Sequence, residues 1–258
     1  MVDIDGLPVW YETAGAGDPL VLLHGGLSSN ASWAPQFEGL APHRQVIAPE
    51  RRAHGHTPDV EGPLTYEDMA AETAAVLSRL DVGPAHLVGW SDGGMVGLLL
   101  AMDRPELVHT LTVTGTGFSL AGYIPGPIDD LLLLPADDEE MAVFSDPYGA
   151  ESPDGPDHFP IVWEKIRQLW RAPFDWSDRL DRIVAPTLVI VGDDDVISVP
   201  HAEQLARGVA HGQLAVIPGA SHAAPLEKPA LFNQLVLDFT AHPTVATLLP
   251  VWRDPARS

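Results

Sequence analysis

One serine, Ser91, stands between two apolar segments and has a glycine two positions away on each side. The segments are residues 86–90 and 95–101, and the pattern is Gly89-x-Ser91-x-Gly93. A turn this tight has little room for Cβ atoms beside the serine, which explains the glycines. Such a serine lies at the carboxyl end of a strand and at the positive amino end of a helix. The pattern predicts a strand–turn–helix unit that exposes a nucleophile, although a glycine-rich turn with an incidental serine would look the same.

Strands and helices alternate along most of the chain. Short apolar runs predict strands at residues 7–13, 19–23, 45–48, 86–90, 108–113, 186–192 and 213–217. Apolar positions at helical spacing predict helices at residues 32–40, 65–80, 93–103, 200–209 and 229–240. Several of the strands are apolar on both faces, which is typical of buried parallel strands. The fold class is therefore α/β, with a mostly parallel central sheet flanked by helices.

This alternation breaks between residues 118 and 175. The span holds eight prolines and the acidic run Asp137-Asp138-Glu139-Glu140. One helix is predicted inside it, because Val162, Ile166, Leu169 and Trp170 would share a face. We interpret residues 118–175 as an inserted lid, and residues 1–117 and 176–258 as the core.

Composition limits the function classes. The net charge of −22, from 36 acidic and 14 basic residues, argues against nucleic acid or anionic membrane as partners. The chain has no cysteine, which excludes disulfides and thiolate chemistry. Residues 1–5 lack the features of a signal peptide, and no apolar run approaches the ~20 residues of a membrane span. We expect a cytoplasmic enzyme, and the sequence leaves a homodimer open.

Three loops carry groups that could work together. A serine hydroxyl needs a base within hydrogen-bond reach, and the base needs an orienting acid. In a parallel sheet these groups come from loops after the carboxyl ends of strands. Ser91 follows the middle strand, Asp193-Asp194-Asp195 a late strand, and His222 the last strand. The residues alone leave the choice among the three aspartates open.

Four motifs carry a resemblance that covers nearly the whole chain. They are His24-Gly25-Gly26, Gly89-Trp90-Ser91-Asp92-Gly93-Gly94, Gly192-x-x-Asp195 and Gly219-x-x-His222. In this order they resemble the α/β-hydrolase-fold serine hydrolases, and the elbow is similar to that of biphenyl hydrolase-like (valacyclovir hydrolase) relatives. The resemblance implies an α/β-hydrolase fold with Ser91, Asp195 and His222 as a triad, Asp195 being selected by the Gly-x-x-Asp spacing. It also implies oxyanion donors at the N–H groups of Gly26 and Asp92, and neither cofactor nor metal.

Other histidines compete with His222 for the role of base. We interpret His24 as holding the oxyanion loop. His54 and His56 lie in a loop that resembles the family's Arg-Gly-His-Gly-x-Ser segment, which is mainly structural in relatives. The chain departs from that segment at Ala53 and Thr57, and it has Glu50 where an Asp is usual. A His-x-His metal site lacks an evident third ligand.

Two further expectations concern the pocket. A carboxylate at Asp92, beside a developing oxyanion, would raise the barrier if it pointed inward, so we expect its side chain to be turned away and hydrogen-bonded. The predicted substrate contacts are Leu27, Phe118, Trp163 and Ile197.

The function expected from these residues is hydrolysis of a carboxylic ester or lactone, with a small, neutral and apolar molecule as substrate. The same triad also serves carbon–carbon bond hydrolysis of dienoate-type ketones, which usually needs basic groups that the lid largely lacks. Haloalkane and epoxide chemistry would need a carboxylate at position 91, and peroxidation remains a conceivable side activity. A receptor-like binder with an intact triad is the alternative outside enzymes.

Overall fold

The computed structural model describes residues 1–244 and 247–248. Its strands are β1 (Val2–Ile4), β2 (Leu7–Val9), β3 (Tyr11–Ala14), β4 (Pro19–Leu23), β5 (Gln45–Pro49), β6 (Ala85–Trp90), β7 (Val108–Thr114), β8 (Thr187–Asp194) and β9 (Gly212–Ser221). One sheet has the order β3-β5-β4-β6-β7-β8-β9, and every neighbouring pair except β3 and β5 is parallel. β1 and β2 form a separate antiparallel pair. The expected mostly parallel central sheet is confirmed.

Helices cover both faces of this sheet. They are α1 (Ala34–Leu40), α2 (Tyr66–Arg79), α3 (Asp92–Asp103), α4 (Pro127–Leu131), α5 (Ala142–Glu151), α6 (Phe159–Arg171), α7 (Val199–Gly208), α8 (Ala224–Glu227) and α9 (Pro229–Ala241). Side chains alternate along β4: Leu20 and Leu22 share a buried cluster with Phe232 of α9, whereas Leu23 packs in the cluster that holds Met95 of α3. A strand buried on both faces needs this apolar run, because each side chain meets a helix layer. No described helix has the length and apolarity to cross a membrane.

The first strand differs from the sequence-based expectation. Residues 7–13 were expected to form one strand, but the structure divides them at Trp10 into β2 and β3. The Trp10 N–H donates to Thr57 Oγ1 at 2.9 Å instead of to a neighbouring strand. Since β2 pairs with β1 and β3 with β5, the break lets the chain change partners.

The segment between β7 and β8 carries α4, α5 and α6, where one helix was predicted. The predicted helix is α6, which buries Val162, Ile166 and Leu169 on its inner face. We call residues 118–175 the cap segment. The domain limits drawn from the sequence remain a prediction, and residues 245–246 and 249–258 of the predicted core lie outside the described residues.

Candidate active site

Ser91 occupies a strained turn between β6 and α3. Its backbone has φ 54° and ψ −121°, in the left-handed half of conformational space that side chains rarely adopt. A Cβ added to Gly89 would lie 2.5 Å from the Gly93 carbonyl oxygen, and one added to Gly93 would lie 2.0 Å from the Leu23 carbonyl oxygen. Both positions therefore exclude any side chain. The glycines of the motif are explained by backbone contacts on both sides of the serine.

Asp195 and His222 meet at the same edge of the sheet. β8 and β9 pair as far as Asp194 and Ser221, so the two following residues emerge side by side. His222 Nδ1 lies 2.8 Å from Asp195 Oδ1, the Asp195 side chain is 1% exposed, and the His222 side chain is 29% exposed. Gly115, at φ 56°, makes room for the imidazole, since a Cβ there would lie 2.7 Å from His222 Nδ1.

The three candidate aspartates have different surroundings. Asp193 Oδ1 accepts the N–H groups of Gly219 at 2.7 Å and Ala220 at 3.3 Å, so it holds the turn near the end of β9. Asp194 is exposed and makes no side-chain hydrogen bond within the described chain. Of the three, Asp195 is the one whose carboxylate contacts the His222 imidazole.

Ser91 and His222 line one cavity, but no hydrogen bond joins the Ser91 hydroxyl to the imidazole in the described structure. The loop that carries the imidazole is tied to the elbow by Trp90, whose Nε1–H donates to the His222 carbonyl oxygen at 2.8 Å. In enzymes without substrate the contact between nucleophile and base is often long and shortens on binding. The arrangement places a serine hydroxyl and a carboxylate-bound imidazole on one cavity wall.

Arg51 holds residues 24–27 in place through hydrogen bonds, and we call these residues the oxyanion loop. Its guanidinium donates to the His24 carbonyl oxygen and, at 2.9 Å, to the Gly25 carbonyl oxygen. Full burial lowers the pKa of Arg51 to about 10, so the group stays charged at neutral pH. Burial, together with the nearby Arg51 cation, also lowers the pKa of His24 well below its usual value. The His24 ring also holds this region together, since Nδ1 lies 2.8 Å from the Gly25 carbonyl oxygen and Nε2 accepts the Arg51 backbone N–H at 3.2 Å.

Leu27 is held in a left-handed conformation at φ 53°. Its N–H donates to His54 Nε2 at 3.2 Å, so this amide is already engaged. Within residues 1–244 and 247–248, the N–H groups of Gly26 and Asp92 make no hydrogen bond. These two amides are therefore free to bind an oxygen atom.

The Asp92 side chain is hydrogen-bonded through both oxygens. Oδ1 accepts from the Tyr66 hydroxyl at 2.8 Å, and Oδ2 accepts from Trp170 Nε1 at 2.9 Å. Asp92 is 3% exposed. Burial and the nearby Asp92 carboxylate both raise the pKa of Tyr66 well above its usual value, so the hydroxyl remains a donor. Tyr66 and Trp170 were not predicted at this site, because one reads as a helix start and the other as a cap core residue.

A cavity of about 740 Å³ opens in front of Ser91. Its wall is mainly apolar and includes Leu27, Tyr66 and Trp170, together with cap residues such as Ile128, Leu131, Phe144 and Val162. A volume of this size is typical of sites for small organic ligands.

Of the four predicted substrate contacts, Leu27 lies in the cavity wall, and the other three do not. Phe118 stacks on His201 with ring centres 3.9 Å apart. The Trp163 indole N–H donates to the Leu134 carbonyl oxygen inside the cap segment, and Ile197 forms a bridge with Tyr123. All three are buried in packing contacts, so the wall is built from other residues.

One group of side chains could approach a cation. Ligand atoms of Glu50, His56 and Glu151 lie within 4.8 Å of one another, and His54, the other histidine of the His-x-His pair, is not part of this group. Glu50 already accepts N–H groups from Asn30 at 3.1 Å and from His56 at 2.6 Å, and His56 Nδ1 lies 3.1 Å from the same carboxylate. These bonds give Glu50 a structural role in holding the loop.

Known proteins resemble this chain over most of its length. The profile described as "Alpha/beta hydrolase family" matches residues 20–235. "Putative carbamate hydrolase RutD" of Azorhizobium caulinodans is 30% identical, over 90% of this chain and 94% of the relative. "Serine hydrolase BPHL" of Homo sapiens is 28% identical, over 92% and 84%.

A solved structure titled "Est816 as an N-Acyl homoserine lactone degrading enzyme" is 27% identical, with a TM-score of 0.75, and the match covers 92% of this chain and 99% of that one. A hydrolase from Pseudomonas aeruginosa PA01 is also 27% identical, with a TM-score of 0.72, over 93% and 97%.

Proposed function

The chain belongs to the alpha/beta hydrolase family, and we propose that it cleaves carboxylic esters or lactones through an acyl-enzyme on Ser91. The observation that carries the proposal is the Asp195–His222 hydrogen bond beside Ser91, in the wall of one apolar cavity. A hydrolase needs a nucleophile, an oriented base and a place for the substrate, and Ser91, His222 and the apolar cavity are the candidates for these three parts.

In the first step His222 accepts the Ser91 proton while the serine oxygen attacks the substrate carbonyl carbon. Asp195 accepts a hydrogen bond from the Nδ1–H group, which leaves Nε2 as the basic nitrogen. The carbonyl electron pair moves onto oxygen, and the N–H groups of Gly26 and Asp92 would bind that oxyanion. Each such donor typically lowers the barrier by about 3 kcal/mol.

In the second step the carbon–oxygen bond to the alcohol breaks, and the alcohol leaves with the proton from His222. Water then attacks the acyl-enzyme, giving one proton to His222, and the serine–carbon bond breaks as Ser91 recovers that proton. In a lactone, acid and alcohol remain parts of one product molecule. The sequence of steps needs no redox partner.

The composition of the cavity wall supports the proposal that the substrates are neutral and apolar. Among the described residues of the cavity wall, Arg171 is the only Lys or Arg. Its guanidinium donates to the Leu132 carbonyl oxygen at 2.9 Å. A substrate carboxylate would therefore meet few cations, which disfavours the dienoate-type ketones considered above. The apolar wall would instead stabilise a hydrocarbon part of an ester or lactone.

A carbamate is the second candidate, because the 30% identical relative carries that name. The carbonyl oxygen of a carbamate could accept hydrogen bonds from the same two backbone N–H groups. A carbamate differs from an ester in that nitrogen replaces the carbon atom bonded to the carbonyl carbon.

The test is a panel of nitrophenyl esters of increasing acyl length, lactones and aryl carbamates, measured with the wild type and Ser91→Ala. We expect esters or lactones to be turned over and Ser91→Ala to lose that turnover. A fluorophosphonate should label Ser91, and peptide mass spectrometry locates the label. A wild type that turns over no member and resists labelling would contradict the proposal and favour a binder.

A further inference from the structure

We propose that Trp170 is a positioning residue that holds the oxyanion loop in place through the carboxylate of Asp92. This inference rests on the proposed function, since it concerns the two amides assigned to the oxyanion. It gives the cap segment a part in catalysis besides forming the cavity wall.

The Asp92 carboxylate joins three separate parts of the chain. Asp92 is the first residue of α3, Tyr66 begins α2, and Trp170 lies near the end of α6 in the cap segment. The indole N–H and the phenol O–H donate to different oxygens of the carboxylate, at 2.9 and 2.8 Å. Hydrogen bonds to a charged, buried acceptor are short and directional, so they fix the side chain in one position.

That side chain lies directly against Gly26. A Cβ added to Gly26 would lie 2.4 Å from Asp92 Oδ2 and 2.8 Å from Trp170 Cζ2. The loop backbone therefore contacts both the carboxylate and the indole ring. Arg51 holds the same loop through its carbonyl oxygens. The loop is enclosed between Arg51 and the Asp92–Trp170 pair, and its position depends on both.

Asp92 also supplies one of the two proposed oxyanion donors from its own backbone. A shift of its side chain would disturb its own N–H and that of Gly26 together. The two donors also spread the negative charge of the carboxylate, which otherwise would oppose the developing oxyanion. Removing the indole N–H should therefore weaken stabilisation of the transition state more than binding of the ground state.

The direct test is Trp170→Phe, which keeps an aromatic ring against the loop and removes the N–H. We expect kcat for a short nitrophenyl ester to fall about tenfold while KM changes less than about twofold, because a displaced donor costs part of its full effect. The affinity for a boronic acid, which forms a tetrahedral adduct on serine, should fall by the same factor as kcat/KM.

The matched control is Lys165→Met on the same helix. Lys165 Nζ lies 2.7 and 2.8 Å from the Asp59 carboxylate, so this variant removes another tie between cap and core without touching Asp92. We expect a lower melting temperature with kcat within about twofold of the wild type. Equal losses of kcat in the two variants would show general loosening of the cap and overturn the proposal.

A second test varies the carboxylate. Asp92→Ala removes both acceptor oxygens and should lose at least as much kcat as Trp170→Phe. In the Asp92→Ala background, Trp170→Phe should cause no further loss of kcat. Independent, multiplying losses would overturn the proposal.

Folding is checked by near-UV circular dichroism, and Trp170→Leu, which also removes the indole N–H, replaces Trp170→Phe if that variant does not fold. A wild type that neither hydrolyses esters nor reacts with the fluorophosphonate would overturn the proposed function itself. An active wild type with an unaffected Trp170→Phe would overturn the positioning role alone.

Discussion

The loop that follows β5 and the loop that follows β9 each place a histidine at the carboxyl edge of the sheet. In both histidines the Nδ1 atom is hydrogen-bonded to an oxygen atom. His54 Nδ1 lies 2.8 Å from the Arg52 carbonyl oxygen, and His222 Nδ1 lies 2.8 Å from Asp195 Oδ1. In both rings this bond fixes the proton on Nδ1 and leaves Nε2 as the acceptor.

The two histidines differ in the contacts of Nε2 and in their surroundings. His54 Nε2 accepts the Leu27 N–H, the residue is 3% exposed, and burial with the nearby Arg51 cation lowers its pKa to about 3. His222 faces a carboxylate instead of a carbonyl, and its ring reaches the cavity. A histidine is suited to act as a base where an anion supports the protonated form and Nε2 has no partner. His54 fulfils neither condition, so it serves as a fixed acceptor that supports the oxyanion loop.

The largest expected effect comes from His222→Gln. We expect kcat for an activated ester to fall about 10⁴-fold or more, because the hydroxyl loses its base. His54→Gln, whose amide oxygen can still accept the Leu27 N–H, should lose less than about tenfold. Steady-state rates of both purified variants measure the difference, and similar losses would remove the distinction between the two loops.

Asp195→Asn should lower kcat about 10⁴-fold, since an amide orients the imidazole poorly and does not support its protonated form. Asp194→Asn is the matched control one residue away, and its exposed side chain should be replaceable with less than a twofold change. Rates of labelling by a fluorophosphonate provide an independent measurement. If Asp194→Asn proved the more damaging change, Asp195 would not be the acid.

His54 should affect stability as a function of pH. Its pKa in the folded chain, about 3, lies below the usual value of 6.5, so the unfolded chain binds the proton more readily between those values. Its contribution to stability is present above about pH 6.5 and is lost as the pH falls, at about 1.4 kcal/mol per pH unit. Urea unfolding from pH 6.5 to 4.5 should therefore show a shallower slope for His54→Gln. An unchanged slope would mean that His54 is already protonated in the folded chain.

The smallest effect is expected at His56, in the same loop as His54. Its side chain is 43% exposed and stacks on Trp10 with ring centres 4.7 Å apart. His56→Gln and Glu151→Gln should each change kcat less than about twofold, and a chelator or added Zn²⁺ should leave the melting temperatures of the wild type unchanged. A rise in melting temperature with Zn²⁺ that both variants abolish would show a metal site there.

The sequence predicted the parts of the site that backbone geometry dictates. The glycines around Ser91 and the ends of buried strands are local features, so the elbow and the loops of Asp195 and His222 could be placed before any coordinates. The choice of Asp195 needed the family spacing, because three adjacent aspartates look alike. Only the surroundings of Asp193 show why it serves the turn instead.

The cap segment was less predictable. α4 has five residues and α5 contains Pro147, so neither gives a clear helical pattern. Trp163 and Trp170 are two helical turns apart on α6; the sequence predicted Trp170 on the apolar face of the helix and Trp163 as a substrate contact. One donates inside the cap and the other reaches the elbow, because the two ends of the helix meet different neighbours. Such long-range contacts cannot be predicted from the local sequence.

The left-handed backbone at Ser91 has a consequence for thermal tolerance. A residue with a side chain held in such a conformation typically costs about 1–3 kcal/mol, which the rest of the fold must offset. Ser91→Gly would relax the turn, so the inactivated chain should melt at a higher temperature than the wild type. Reactivity and thermal stability would then be opposed at one residue, and a selection for heat-resistant variants by folding alone would tend to discard the proposed nucleophile.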